Sequence, residues 1–293
     1  MILIIDFFAQ ILSYIINPIY KFVNNYGVAV ILFTLIVKLL ILPLGIKQQK
    51  TMVKTKQIKP ELDKLQAKYK NDKEKLNEET MKLYKKYDIN PMGGCLPLLV
   101  QFPILLGLYR VIQQPITWIV GQTPLEAVSG VVSSGQMTSE TALSVLKEAV
   151  SKVVSADVLK GLDSIQAVFE ACGKNIPQID IASKFHLVNF DFMGLDLSAT
   201  PDIQNPSLLW IVPILATGAA FFSNWVSRKI NPVSAEQEQS MKGMTMMMPL
   251  MTAFFTFTLS AGIGVYWFIS TMFSVAQMVV LTKYFENKYP AKD

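Results

Sequence analysis

The chain has 293 residues, of which 51% are hydrophobic and only 17% charged, a balance too apolar for an ordinary soluble globule of this length. The net charge is +5 and 25 of the 27 basic residues are Lys, so the placement of the lysines carries more than their sum, and direct sequence-specific binding of nucleic acid gains little from it. Two cysteines, Cys95 and Cys172, and one histidine, His186, exclude a disulfide framework and His-rich metal sites. No cofactor, metal or catalytic motif is expected.

Residues 1–26 open the chain with an apolar run whose polar members Asp6, Gln10, Ser13, Asn17 and Lys21 recur at steps of three and four, one stripe of a helix. The first charge is acidic and no small-residue cleavage site is visible, which favours an interfacial amphipathic helix broken at Pro18 over a signal peptide. Because a helix rises about 1.5 Å per residue and the hydrocarbon core is about 30 Å thick, spans need roughly 20 apolar residues. Five windows qualify: 27–46, 95–115, 207–226, 244–260 and 263–282, the last two joined at Ala261-Gly262. None alternates with period two, which excludes a barrel. The fold class expected is therefore an all-α polytopic membrane protein with five transmembrane helices.

Between the first two spans, residues 47–94 read as a Lys-rich helical hairpin. Leu62, Leu65 and Tyr69 lie on one arm, Leu76, Leu83 and Tyr87 on the other, with a reversal at Asn71-Asp72. The stretch 47–88 holds 13 Lys against 7 acidic residues, whereas 116–206 holds 5 Lys against 10. The short loop 227–243 and the tail 283–293 each carry three basic and two acidic residues. By the positive-inside rule the hairpin, that loop and the C-terminal tail are cytoplasmic, and the N-terminus and 116–206 are outside. The outer segment reads as a small helical elaboration, periodic around Ala142 to Phe169.

Lys38 is the residue that needs explaining. It sits eleven residues into the first span, about 12 Å from its cytoplasmic end, and no span contains Asp or Glu to pair with it. A central Lys costs roughly 2.5 to 3.5 kcal/mol on insertion scales, so it either snorkels to the interface or faces a water-filled cavity. Thr34 lies one turn before it, and Trp267, Ser270, Ser274 and Gln277 follow one face of the last span. Gln101, Ser223 and Asn224 add polar atoms on the second and third spans. Singly these residues suit interhelical hydrogen bonds; together with one unpaired charge they favour a polar groove. Arg110, near the outer end of its span, is expected to snorkel outward. Six methionines between Met241 and Met251 suit either span packing or an adaptable apolar lip.

The strings ILFTLIVKLLILPLGIKQQK, YKKYDINPMGGCLPLLVQFPIL and MMMPLMTAFFTFTLSAGIGVYWFIS occur in that order. With them the chain resembles the YidC family of membrane-protein insertases, related to the mitochondrial oxidase-assembly insertase, in a Gram-positive-like form. The resemblance covers residues 15–115 and 205–285. It implies a bacterial cytoplasmic-membrane protein whose positively charged hydrophilic groove opens to cytoplasm and lipid and passes substrate helices sideways into the bilayer. Lys38 stands where the family usually has Arg, Thr34 matches a groove position, Ser223 stands about where relatives have Gln, and Trp267, with Tyr266 beside it, matches a substrate contact. Implied partners are newly made membrane proteins and the lipid bilayer, with the ribosome, the signal recognition particle machinery and the secretion channel as further ones. The rival class is a secondary transporter or channel. Against it stand the lack of paired inverted halves and of an intramembrane carboxylate to carry coupling protons.

Overall fold

A computed structural model describes residues 2–70, 72–89, 96–173, 175–230 and 235–289. The chain is built from helices, with one two-residue hairpin among the described residues. It divides into two compact units. One comprises Met1–Phe33, Pro103–Ile211 and Thr256–Tyr266; the other comprises Thr34–Phe102, Val212–Phe255 and Trp267–Asp293.

The first unit begins with α1 (Ile2–Val23), which buries Ala9, Leu12, Ile16 and Tyr20 at steps of three and four. Phe7, Ile11, Tyr14 and Phe22 remain exposed, so α1 has one face for protein and a second apolar face left open. The helix runs unbroken through Pro18. Pro18 is exposed, so the backbone bond that its ring removes falls on the open side of the helix. The buried face packs on a single π turn, Ile116–Val120, which follows α5 (Leu96–Gln113). Arg110 of α5 does not simply reach outward: its Nε donates to Asp6 of α1 at 2.9 Å. Two half-buried ions in apolar surroundings lower each other's desolvation cost.

After the π turn come α6 (Pro124–Ser133), α7 (Ser139–Val150), α8 (Ala156–Lys160), α9 (Ile165–Cys172) and α10 (Gln178–Lys184). Their starts are set by sequence. Thr123 and Glu126 form a capping box, and Thr138 and Ser164 each accept from a backbone N–H of the first turn. The elaboration has a core of its own, in which Val128, Leu146, Val168 and Ile181 are fully buried.

The segment after α10 is less peripheral than its sequence suggests. Strands β1 (Asp191–Phe192) and β2 (Leu195–Asp196) pair antiparallel around Met193-Gly194, both at positive φ, the signature of a tight type I′ turn. The residues flanking this hairpin cap two long helices, α2 (Tyr26–Gln57) and α13 (Ala261–Lys288). The Asn189 carbonyl accepts from Tyr26 N–H at 2.9 Å, the Leu197 carbonyl from Gly262 N–H at 3.0 Å, and the Ala199 carbonyl from Ala261 N–H at 2.9 Å. These are first-turn donors that a helix cannot satisfy internally. Asn25 caps α2 further, its Oδ1 accepting from Val28 N–H at 3.1 Å. Two glycines permit the close fit. A Cβ at Gly27 would collide with the Phe192 ring, and one at Gly262 would sit 2.6 Å from the Tyr26 ring. The expected joint at Ala261-Gly262 therefore lies two residues earlier, at Leu259-Ser260, because the captured N–H groups make Ala261 and Gly262 the first turn of α13.

The second unit holds the remaining length of α2 and α13, together with α11 (Ile211–Ile230), most of α12 (Ala235–Thr258) and a hairpin of α3 (Lys59–Lys68) and α4 (Lys73–Lys86). The hairpin has a thin seam in which Ile58, Leu83 and Ile89 are buried against Leu62, Leu65, Tyr84 and Tyr87. Asp72 caps α4, accepting from Lys75 N–H at 3.0 Å. The expected reversal is thus placed on its Asp72 side, while Asn71 lies outside the described residues, as do residues 90–95 and 231–234. Among the described residues, three helices are long and apolar enough to cross a membrane: Tyr26–Gln57, Leu208–Ile230 and Ala261–Lys288. Phe102–Gln113 and Met246–Thr258 are shorter apolar stretches within α5 and α12.

Candidate polar groove

Within the second unit α2 lies beside α13, and this brings three of the expected groove residues, Lys38, Ser270 and Ser274, into contact. Lys38 Nζ donates to Ser274 Oγ at 3.0 Å, and Ser274 Oγ donates in turn to the Ser270 carbonyl at 2.9 Å. The serine hydroxyl thus spends its proton on its own helix and turns a lone pair toward the ammonium, the orientation that a cation needs. A Lys has three donors, so this contact leaves capacity for water or a substrate acceptor. Thr34, one turn before Lys38, is fully buried, and Ser270 is buried as well. One turn beyond Ser274, Gln277 places its amide over Gly45, into space that a side chain at Gly45 would fill. The small residue on α2 thereby admits a polar one from α13, as helices packed in lipid commonly arrange.

The other expected residues are less uniformly placed. Ser223 and Asn224 are half-buried on α11 in the same unit. The Gln101 side chain lies outside the described part of the structure. Trp267 is half-buried and stacks on Phe255 of α12, ring centroids 5.9 Å apart. Tyr266 belongs to the first unit and is buried. On α12, Met246, Met247, Met248 and Met251 are exposed, an apolar and adaptable surface.

Sequence reasoning missed the polar contacts that continue beyond the groove. Gln49 of α2 donates to Thr282 Oγ1 of α13 at 2.6 Å, and both side chains are buried. Lys56 pairs with Glu286 at 2.7 Å. The three pairs run in the same order along both helices, which makes α2 and α13 parallel neighbours, but their sequence offset falls from 236 to 233 to 230, so no fixed spacing in the sequence marks them.

These features define a multi-pass, all-α membrane protein with a ladder of polar contacts between two of its apolar helices. The chain belongs to the family described as 60Kd inner membrane protein, whose model matches residues 18–288. Its relatives include the membrane protein insertase YidC of Wolinella succinogenes, 31% identical over 284 residues, which are 97% of this chain and 38% of that protein. The proteins of the same name in Fusobacterium nucleatum and Clostridium tetani are 46% and 50% identical. Those matches cover 36% and 37% of this chain, and 52% and 49% of the relatives. The chain spans about half or less of the length of these curated relatives.

Proposed function

We propose that this protein integrates newly made membrane proteins into the bacterial cytoplasmic membrane and helps them fold there. It does so through a positively charged hydrophilic groove open to cytoplasm and lipid. The five apolar stretches are its spans, with the N-terminus outside and the C-terminus in the cytoplasm. The observation that carries this reading is a half-buried Lys38 that donates to Ser274 in an apolar helix pair, in a chain whose relatives carry the name insertase. A polar or acidic segment of a substrate enters the groove, where water and the Lys38 ammonium lower the cost of crossing the inner half of the bilayer. The apolar substrate helix then leaves sideways into lipid. Burial of that helix drives the process, and no catalytic step is involved. Groove lining falls to Thr34, Gln101, Ser223, Asn224, Ser270, Ser274 and Gln277, and substrate contact to Trp267 and Tyr266. Ribosomes, the signal recognition particle machinery and the secretion channel are its proposed partners.

Reconstitution tests the reading. Liposomes containing the protein should integrate a small phage-coat-like substrate without moving solutes; solute flux without integration would make it a transporter or channel. The groove requires positive charge and not Lys as such, since the contact to Ser274 is a point interaction and not a bidentate fork. Lys38→Arg should therefore retain insertion, and Lys38→Ala or Lys38→Glu should lose most of it for substrates with acidic outer segments. Full activity of Lys38→Glu in a depletion strain refutes the groove-charge mechanism.

A further inference from the structure

The polar contacts between α2 and α13 continue past the apolar part of both helices, and there they change character. Gln49, Lys50, Val53, Lys56 and Gln57 lie along one face of α2, and Thr282, Phe285, Glu286 and Tyr289 along one face of α13 and its end. Val53 and Phe285 are buried within these faces. Around them Gln49 donates to Thr282 and Lys56 to Glu286. The Gln57 amide donates to the Tyr289 carbonyl, an acceptor that the end of a helix leaves open. The Lys50 ammonium lies 5.5 Å from the centre of the Tyr289 ring.

The same stub of α2 holds the base of the hairpin. Lys54 Nζ donates to the carbonyls of Tyr87 and Asp88 at 3.4 and 3.2 Å and lies 3.6 Å from the Asp88 carboxylate. Asp88 adopts a left-handed φ of 52°. Ile58, directly after α2, is buried in the seam with Leu83 and Ile89. Both ends of the hairpin are thus fastened to α2 between Lys54 and Ile58, and that stretch is in turn fastened to α13.

We propose that the stretch Thr282–Tyr289 of α13 is a brace that positions the hairpin, and that α13 couples the hairpin to the groove. Within the second unit, one continuous helix carries Trp267, Ser270 and Ser274 near one end and Glu286 near the other. Ser274 and Glu286 are about 18 Å apart along its axis. A substrate that displaces the groove-facing part of α13 also shifts its braced end, which loosens the α2 stub and releases the hairpin. In this scheme Lys56 and Glu286 are positioning residues, and the coupling rests on the insertase reading above.

Charge reversal and swap test the brace, with the full-length protein in nanodiscs and liposomes. Lys56→Glu and Glu286→Lys, each alone, should raise amide exchange of residues 59–89 about three- to fivefold, the range of a half-exposed ion pair. Each should slow insertion of the coat-like substrate by a similar factor, and the Lys56→Glu/Glu286→Lys double variant should restore both quantities. Exchange in α6–α10 should stay constant throughout. Unchanged hairpin exchange in both single variants overturns the brace, as does failure of the swap to rescue or a rise shared equally by α6–α10. If the unmodified protein inserts nothing, the insertase reading fails while the exchange data still judge the brace.

Discussion

The contact between Tyr26 and Phe190 yields a prediction of opposite sign on its two sides. The rings meet edge to face with centroids 4.9 Å apart. Phe190 is 4% exposed and Tyr26 fully buried. Truncating Phe190 removes a buried aromatic beside the backbone cap of α2, so Phe190→Ala should cost about 3–5 kcal/mol, of which about 0.5–1.5 kcal/mol is the ring pair itself. Tyr26→Phe should do the reverse. The Tyr26 hydroxyl has no hydrogen-bond partner among the described residues, and the first turn of α13 closes over it: a Cβ at Gly262 would lie 2.7 Å from the oxygen. An orphaned buried hydroxyl costs about 1–3 kcal/mol, so deleting it while keeping the ring should stabilise by about 1 kcal/mol. At roughly 2–4 °C per kcal/mol for chains somewhat smaller than this one, Tyr26→Phe should raise the midpoint of thermal aggregation in detergent by about 2–4 °C. Phe190→Ala should lower it by roughly 6 °C or more. Fluorescence-detected size-exclusion after a heating series reads both. A lower midpoint for Tyr26→Phe refutes the reasoning, because it means that the hydroxyl is hydrogen-bonded after all.

Three further expectations can be checked directly. Deleting residues 51–87 should leave a membrane-integrated protein with little insertion activity in liposomes; normal activity would reduce the hairpin to a reservoir of topogenic charge. The Cys172 thiol is buried and pushed up from its ordinary pKa by that burial, so in a Cys95→Ser background maleimide should label it only as α6–α10 unfold, and fast labelling of folded protein would contradict the packing of α9. Replacing residues 120–184 with a short Gly/Ser linker should preserve insertion at the cost of the Gln178 side-chain bonds to Thr117, whereas extending the deletion through Ala199 should abolish folded protein on size-exclusion.

How far the sequence discloses this structure depends on the range of the interaction. The arms of the hairpin, the caps at Thr123, Thr138 and Ser164, and the apolar stretches of α2, α11 and α13 follow from periodicity and local chemistry. Lys38 stands out because one charge interrupts an apolar run, and its partner Ser274 is on the polar face read from the sequence. The Asp6–Arg110 pair escapes such reading, because 103 residues separate its members and each looks like a lone charge near an interface. The caps supplied by Asn189, Leu197 and Ala199 are invisible for another reason: they are backbone carbonyls, and no side-chain pattern marks them. Composition around 185–199 reads as loop, and only the fold shows which donors that loop satisfies.

Helix α13 is closed at its two ends by different means. At its start, the N–H groups of Ala261 and Gly262 are taken up by carbonyls of a loop that also caps α2 through Tyr26. At its far end, the Tyr289 carbonyl is taken up by a side chain of α2, and the flanking contacts are polar and half-exposed. Backbone caps set among buried rings are costly to break, since each orphaned group loses its partner without gaining water. Half-exposed ion pairs exchange readily with solvent. The start of α13 is therefore its fixed point and the Glu286 end its yielding one. A displacement near Ser274 relaxes toward the hairpin and leaves the caps at Ala261 and Gly262 in place, which is the direction that the proposed coupling of groove to hairpin requires.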